Sequence, residues 1–277
     1  LLGPDHPEVR TFWESYYVEL GREPDTFDGA VALLRGSLVA RGWGQLMNFR
    51  ISLSSQNLST MLRRSSVADE IAEGERITAE NAKWRTKQYG EHHPFTMVAE
   101  GNRVLDVLYR LERADDEGKL TPEEIATAEE TLADARKLTL ARKSVLGAHH
   151  GGTVKAMSYE ARAQRLLDRT DAARAVAQEA LAYHQPYLSK RDGTVTAILS
   201  VIIAEAYAAE ADAAIANVRV ASNAGRGSVA QAELDRAQSL WRSAATELDA
   251  AEVDFDRWPN QEDWLRRVVA IRSRLRN

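Results

Sequence analysis

The segment Leu146-Gly147-Ala148-His149-His150-Gly151-Gly152-Thr153 rewrites an earlier one, Tyr89-Gly90-Glu91-His92-His93-Pro94-Phe95-Thr96. Leu2-Gly3-Pro4-Asp5-His6-Pro7-Glu8-Val9 is a third copy, and Leu188-Ser189-Lys190-Arg191-Asp192-Gly193-Thr194-Val195 a weaker fourth. Measured at the glycine position, the steps are 87, 57 and 42 residues. A period of 42 accounts for them if one anchor near Gln45, in the loop Gly42-Trp43-Gly44-Gln45, lacks the signature. The 57-residue step then carries 15 extra residues, which fall on the acidic stretch around Ala114-Asp115-Asp116-Glu117-Gly118-Lys119 and are expected to lie in loops. A fixed period of this length marks stacked supersecondary units.

Outward from these turns, the seven prolines (Pro4, Pro7, Pro24, Pro94, Pro122, Pro186 and Pro259) leave long proline-free intervals. Within them apolar residues recur at spacings of three and four, the period of an amphipathic helix. Thr121-Pro122-Glu123-Glu124 combines an N-cap, a first-turn proline and a capping-box glutamate, and Ser228-Val229-Ala230-Gln231 reads as a second box. Helices are predicted at 7–20, 26–41, 46–62, 66–88, 94–113, 122–146, 152–168, 171–184, 193–222, 228–257 and 260–275, with no strand signal. The expected fold class is all-α: two helices per unit over residues 1–190 with an insert near 114–120, then residues 191–277 as a long hairpin and a terminal helix continuous with the stack.

The composition of the 277 residues, 44% hydrophobic and 28% charged, suits a globular chain and excludes disorder. With no cysteine there are no disulfides, thiolate metal sites or thiol nucleophiles, and a reducing compartment fits. The longest uncharged apolar stretch, Gly193–Ala204, is short for a spanning helix, so membrane insertion is not expected. A net charge of −5 gives no general attraction to nucleic acid.

The 42-residue unit resembles the tetratricopeptide repeat in its longer kinesin-light-chain variety, whose units open with a Leu-Gly-x-x-His-Pro turn. Asp171-Ala172-Ala173-Arg174 and Glu179-Ala180-Leu181-Ala182 sit where that family has small residues in the second helix, and Ala161 fills the small position in the first. Small side chains let the helices of a unit cross closely. The same offsets fall on Gly29 and Gly36.

The resemblance implies a superhelix whose first helices line a concave groove holding a peptide or a partner's helix. At the groove-facing asparagine position stand Asn57 and Asn102, with Arg50 and Arg103 near enough to receive acidic groups. Ser15, Tyr159 and Val201 occupy the equivalent places in the other units. An amide donates and accepts at once, which suits it to grip an extended backbone, or equally to satisfy loop carbonyls of the next unit.

The recurring pairs His92-His93 and His149-His150 could suggest a metal site. Adjacent residues diverge at a helix start and no carboxylate spacing completes a ligand set, so capping roles are expected and no metal or cofactor. Gly151-Gly152 follows no strand and precedes no Lys-Ser/Thr, so it is not a phosphate loop. With no nucleophile elbow either, the chain is not read as an enzyme.

The last third has its own pattern. Leu234, Ala237, Trp241, Ala244, Leu248, Ala251 and Phe255 form a heptad seam, facing Ile198, Val201, Ile202, Ala209, Ala213, Ala216 and Val220 across the turn Asn223–Gly227. This hairpin reads either as a long cap on the last repeat or as a docking or dimerisation arm. The terminal helix carries Arg266, Arg267, Arg272, Arg274 and Arg276 with no acid after Asp263. These cations suit either a helix dipole or binding to an acidic protein or a membrane surface.

The chain begins inside a repeat turn without Met, and arginine outnumbers lysine 29 to 7, which points to a segment of a longer protein from a GC-rich bacterium. The expected role is a cytoplasmic protein- or peptide-binding scaffold or sensor. The alternative is a peptide-responsive regulatory domain of a larger signalling protein, such as a STAND NTPase or a transcriptional regulator.

Overall fold

The computed structural model describes residues 16–18, 24–40, 48–63, 65, 67–118, 120–184, 193–255 and 262–275. Among them are one 3-10 turn, Pro24–Thr26, and ten α-helices. These are α1 (Phe27–Ala40), α2 (Phe49–Leu62), α3 (Ala68–Tyr89), α4 (Pro94–Glu117), α5 (Pro122–Leu146), α6 (Gly151–Leu166), α7 (Thr170–His184), α8 (Gly193–Asn223), α9 (Gly227–Phe255) and α10 (Glu262–Leu275). The first and last copies of the turn, the loop at Gln45 and most of the helix expected at 7–20, Ser15 included, lie outside the described residues or largely so.

The two central copies of the turn fold alike. Gly90 and Gly147 have φ of +87° and +90°, a left-handed conformation that costs any other residue strain, and each ends a helix by donating its N–H to the carbonyl four residues back. His93 and His150 then N-cap the next helix, Nδ1 accepting from the N–H of Phe95 (3.2 Å) and of Gly152 (3.0 Å). The second histidine of each pair is therefore a cap.

The chain divides into two compact units, Leu1–Gly118 and Lys119–Asn277. In the first, each of α1 to α4 packs on its neighbour in sequence. Leu34, Leu38, Ile51, Leu58, Met61, Leu62 and Ile77 form its core, because they fall on single stripes of α1, α2 and α3. Gly74 lets α3 approach α2: a Cβ there would lie 3.0 Å from the Cβ of Leu62. Gly29 and Gly36, which share the small-residue offsets of the repeat, are exposed, and no described residue lies within 4 Å of a Cβ added to either. The 15-residue excess is not confined to a loop either: α4 runs on through Glu117, beyond its expected end, and α5 already begins at Pro122.

In the second unit, α5 opens on the capping box of Thr121 and Glu124. The small residues Ala161, Ala173 and Ala180 are all buried in one core with Val201, Ile202, Leu248 and Trp264. Gly227 begins α9 and the N–H of Ala230 bonds the Arg226 carbonyl, so Ser228 lies inside the first turn rather than capping it. The α8–α9 pair forms the most extensive helix contact of the unit. On α9, Ala237, Ala244, Leu248 and Ala251 are buried as the seam requires. On α8 the seam is offset from the expected one: Ala208, Ala211, Ala214 and Ala221 face inward, whereas Ala209, Ala213, Ala216 and Val220 are exposed. By length and composition alone α8 could cross a membrane, with a mean hydropathy of 1.4, which the short uncharged stretch did not reveal. In this fold 61% of that apolar window is buried against its own helices.

Candidate functional site

The first unit holds α2 and α4 side by side through a buried polar framework. Asn81 of α3 donates Nδ2 to the Ser52 carbonyl (2.8 Å) and accepts from the Ser52 hydroxyl (2.5 Å). Arg85, one turn on, donates Nε to Ser52 Oγ (2.7 Å) and Nη1 to the Phe95 carbonyl (2.9 Å). One guanidinium thus bridges position 52 of α2 and position 95 of α4. Eleven residues further along each helix, Arg63 pairs with Asp106. The two helices consequently run parallel in register, with α3 antiparallel to both, since Asn81 lies by Ser52 and Gly74 by Leu62.

The second unit repeats part of this device. Arg142, 57 residues after Arg85, donates Nη1 to the Gly152 carbonyl (2.5 Å), the counterpart of Phe95. Both guanidinium groups have their pKa lowered, chiefly by burial. Neither was singled out from sequence. The signal was the same 57-residue spacing already visible at Gly90 and Gly147.

The parallel helices α2 and α4 carry similar stripes, shifted by two residues from the level of the polar contacts between them. Arg50, Leu53 and Asn57 recur as Phe95, Val98 and Asn102, each at i, i+3 and i+7 and so on one helical face. Leu53, Phe95 and Val98 are exposed at 36%, 41% and 41%, and both asparagines are half-buried. Each helix offers an apolar side chain followed one turn later by an amide. Arg50 is exposed, whereas Arg103 is engaged by Glu100 (2.8 Å).

Around Phe95 the apolar surface widens into an aromatic group. Tyr89 stacks on His93 (4.8 Å between centroids) and meets Trp84 and Phe95 edge-on (5.7 and 6.1 Å). The repeated turn thus anchors the surface that its histidine caps.

Tyr159, expected on the same surface, belongs to the second unit and is 2% exposed, so it offers almost no area to a ligand. Val201 is likewise buried.

Elsewhere in the first unit, the pKa of Asp106 is raised by burial, against the opposing pull of Arg63. Arg63 also lies over the Tyr109 ring, and its carbonyl accepts from Arg113 Nη2 (3.0 Å). Among the described residues no three His, Asp or Glu side chains are grouped as metal ligands. Compared with known proteins, the sequence matches no protein-family model and has no significant match among curated proteins.

Proposed function

We propose that the chain is a protein-interaction module whose α2–α4 face receives an extended peptide segment of a partner, and that its helix pairs are tetratricopeptide-like repeats. The observation that carries the binding proposal is the recurrence, on two parallel helices, of an exposed apolar side chain followed one turn later by a half-buried amide. Leu53 and Val98 would cover apolar side chains of the segment, while Asn57 and Asn102 each supply a donor and an acceptor for its backbone. The repeat reading is supported by the twin turns at Gly90 and Gly147, with their histidine caps and buried arginines at one spacing.

Peptides selected from a random display library against the full chain provide the test. Asn57→Ala with Asn102→Ala should weaken their binding by about 1–3 kcal/mol, or roughly five- to 150-fold. Unchanged affinity would remove these amides from the site.

A further inference from the structure

The terminal helix α10 is held to α8 and α9 in two ways. Trp264, Val268 and Ile271, at i, i+4 and i+7, are 2%, 1% and 3% exposed and join the core that contains Leu248 and Ala251. Two guanidinium groups also lie over the Trp264 ring, Arg162 of α6 at 5.8 Å and Arg267 of its own helix at 5.4 Å. Outside this stripe the arginines meet carboxylates of the hairpin. Arg267 reaches Glu205 (3.4 Å), Arg274 pairs with Asp212, and Arg272 contacts both Asp249 (2.6 Å) and Glu252 (2.6 Å). Three arginines of the basic terminus therefore meet four carboxylates along the hairpin, one of which, Glu205, also contacts Arg165 (3.8 Å).

That arrangement has the features of helix-in-groove recognition: three apolar anchors on one stripe, flanked by cations that read an acidic edge. The outer ion pairs are solvent-exposed and screened by salt. A helix of 14 residues has little stability of its own. The α8–α9 hairpin, by contrast, is held by its own long seam.

We propose that the surface of α8 and α9 rimmed by Glu205, Asp212, Asp249 and Glu252 is a second docking site, specific for a basic amphipathic helix, and that α10 is its resident occupant in cis. The partner it fits is a protein helix with an aromatic side chain at the first anchor, β-branched residues at the next two, and arginines at the positions of Arg267, Arg272 and Arg274. Such a helix gains the site by displacing α10, so α10 acts as a competing pseudo-ligand. This site lies within the second unit and is independent of the α2–α4 face.

The test uses a fluorescein-labelled peptide of the α10 sequence, Glu262–Leu275, titrated with the full chain in an anisotropy assay. Wild type should bind weakly, because its own helix competes at the high effective concentration of a tethered segment. A Trp264→Ala chain should bind at least tenfold more tightly, its melting temperature should rise with added peptide, and 1 M NaCl should reduce the binding. A peptide with Arg267, Arg272 and Arg274 changed to Glu should not bind. If the Trp264→Ala chain keeps its helical circular dichroism and cooperative melt yet does not distinguish the two peptides, the proposal is overturned. Should that chain fail to fold, the Arg272→Glu, Arg274→Glu chain, which retains Trp264, takes its place. Absence of peptide uptake by it overturns the proposal equally.

Discussion

Replacing Arg85 by Met keeps most of the side-chain volume and removes every donor. Arg85 is 1% exposed, and its bonded partners at Ser52 and Phe95 are neutral, so two opposing effects compete. Removing the guanidinium relieves the burial that lowers its pKa, and a buried charge replaced by an apolar side chain is often neutral or better. Against this, Ser52 Oγ and the Phe95 carbonyl each lose a bond to a charged donor, worth about 1.5–3 kcal/mol, although Ser52 Oγ keeps its bond to Asn81. Because the same guanidinium joins α2 to α4, its loss also removes a tie between the two helices. The net loss should be about 2–4 kcal/mol. Urea unfolding followed by far-UV circular dichroism measures it. Arg85→Lys should recover little, since one ammonium cannot span both acceptors in the geometry of the planar fork. A Met variant as stable as wild type would refute the reasoning and show that burial of the charge outweighs its bonds.

The glycines give a contrast of sign. Gly29→Ala and Gly36→Ala should each stabilise by about 0.5–1 kcal/mol, whereas Gly74→Ala should destabilise, because its Cβ presses on Leu62 at 3.0 Å; melting temperatures distinguish the two classes. Trp241 is only half-buried, with Arg274 over its ring at 5.6 Å, so Trp241→Ala should cost about 1–3 kcal/mol, less than the loss of a fully enclosed tryptophan. Asp106 has a folded-state pKa above its unfolded value, so it contributes most stability at low pH and that contribution is lost as pH rises through the raised pKa. Chemical denaturation across the acid range should show the stability of wild type falling relative to Asp106→Asn as pH increases.

Sequence pattern locates helices well where the chemistry is local. The ends of α5 were legible because Thr121-Pro122-Glu123-Glu124 fixes its start and Gly147 its stop within a few residues of chain. The twin turns were legible for the same reason: a left-handed glycine and a histidine cap act over six residues. What depends on a neighbour was not. Gly29 and Gly36 share a repeat offset with buried alanines, yet offset says nothing about which helix crosses there. Along α8 so many alanines stand in sequence that several stripes satisfy a heptad, and packing on α9 selects the one through Ala208, Ala211 and Ala214.

The candidate surface divides in the same way. Asn57 and Asn102 were found from spacing, and their half-burial on parallel helices leaves them accessible. Tyr159 has the same offset but lies beside Arg142 inside a packed core. The buried arginines escaped notice because charged residues are read as solvated. Only three-dimensional contact shows Arg85 spending its donors on a hydroxyl and a carbonyl.

Hydrogen exchange followed by mass spectrometry, on the full chain with and without a display-selected peptide, tests the central claim most directly. Binding on the α2–α4 face predicts slowed exchange in the segments holding residues 50–57 and 95–102, lost together in the Asn57→Ala, Asn102→Ala chain. Protection confined to α8 and α9, with 50–57 and 95–102 unchanged, would contradict it.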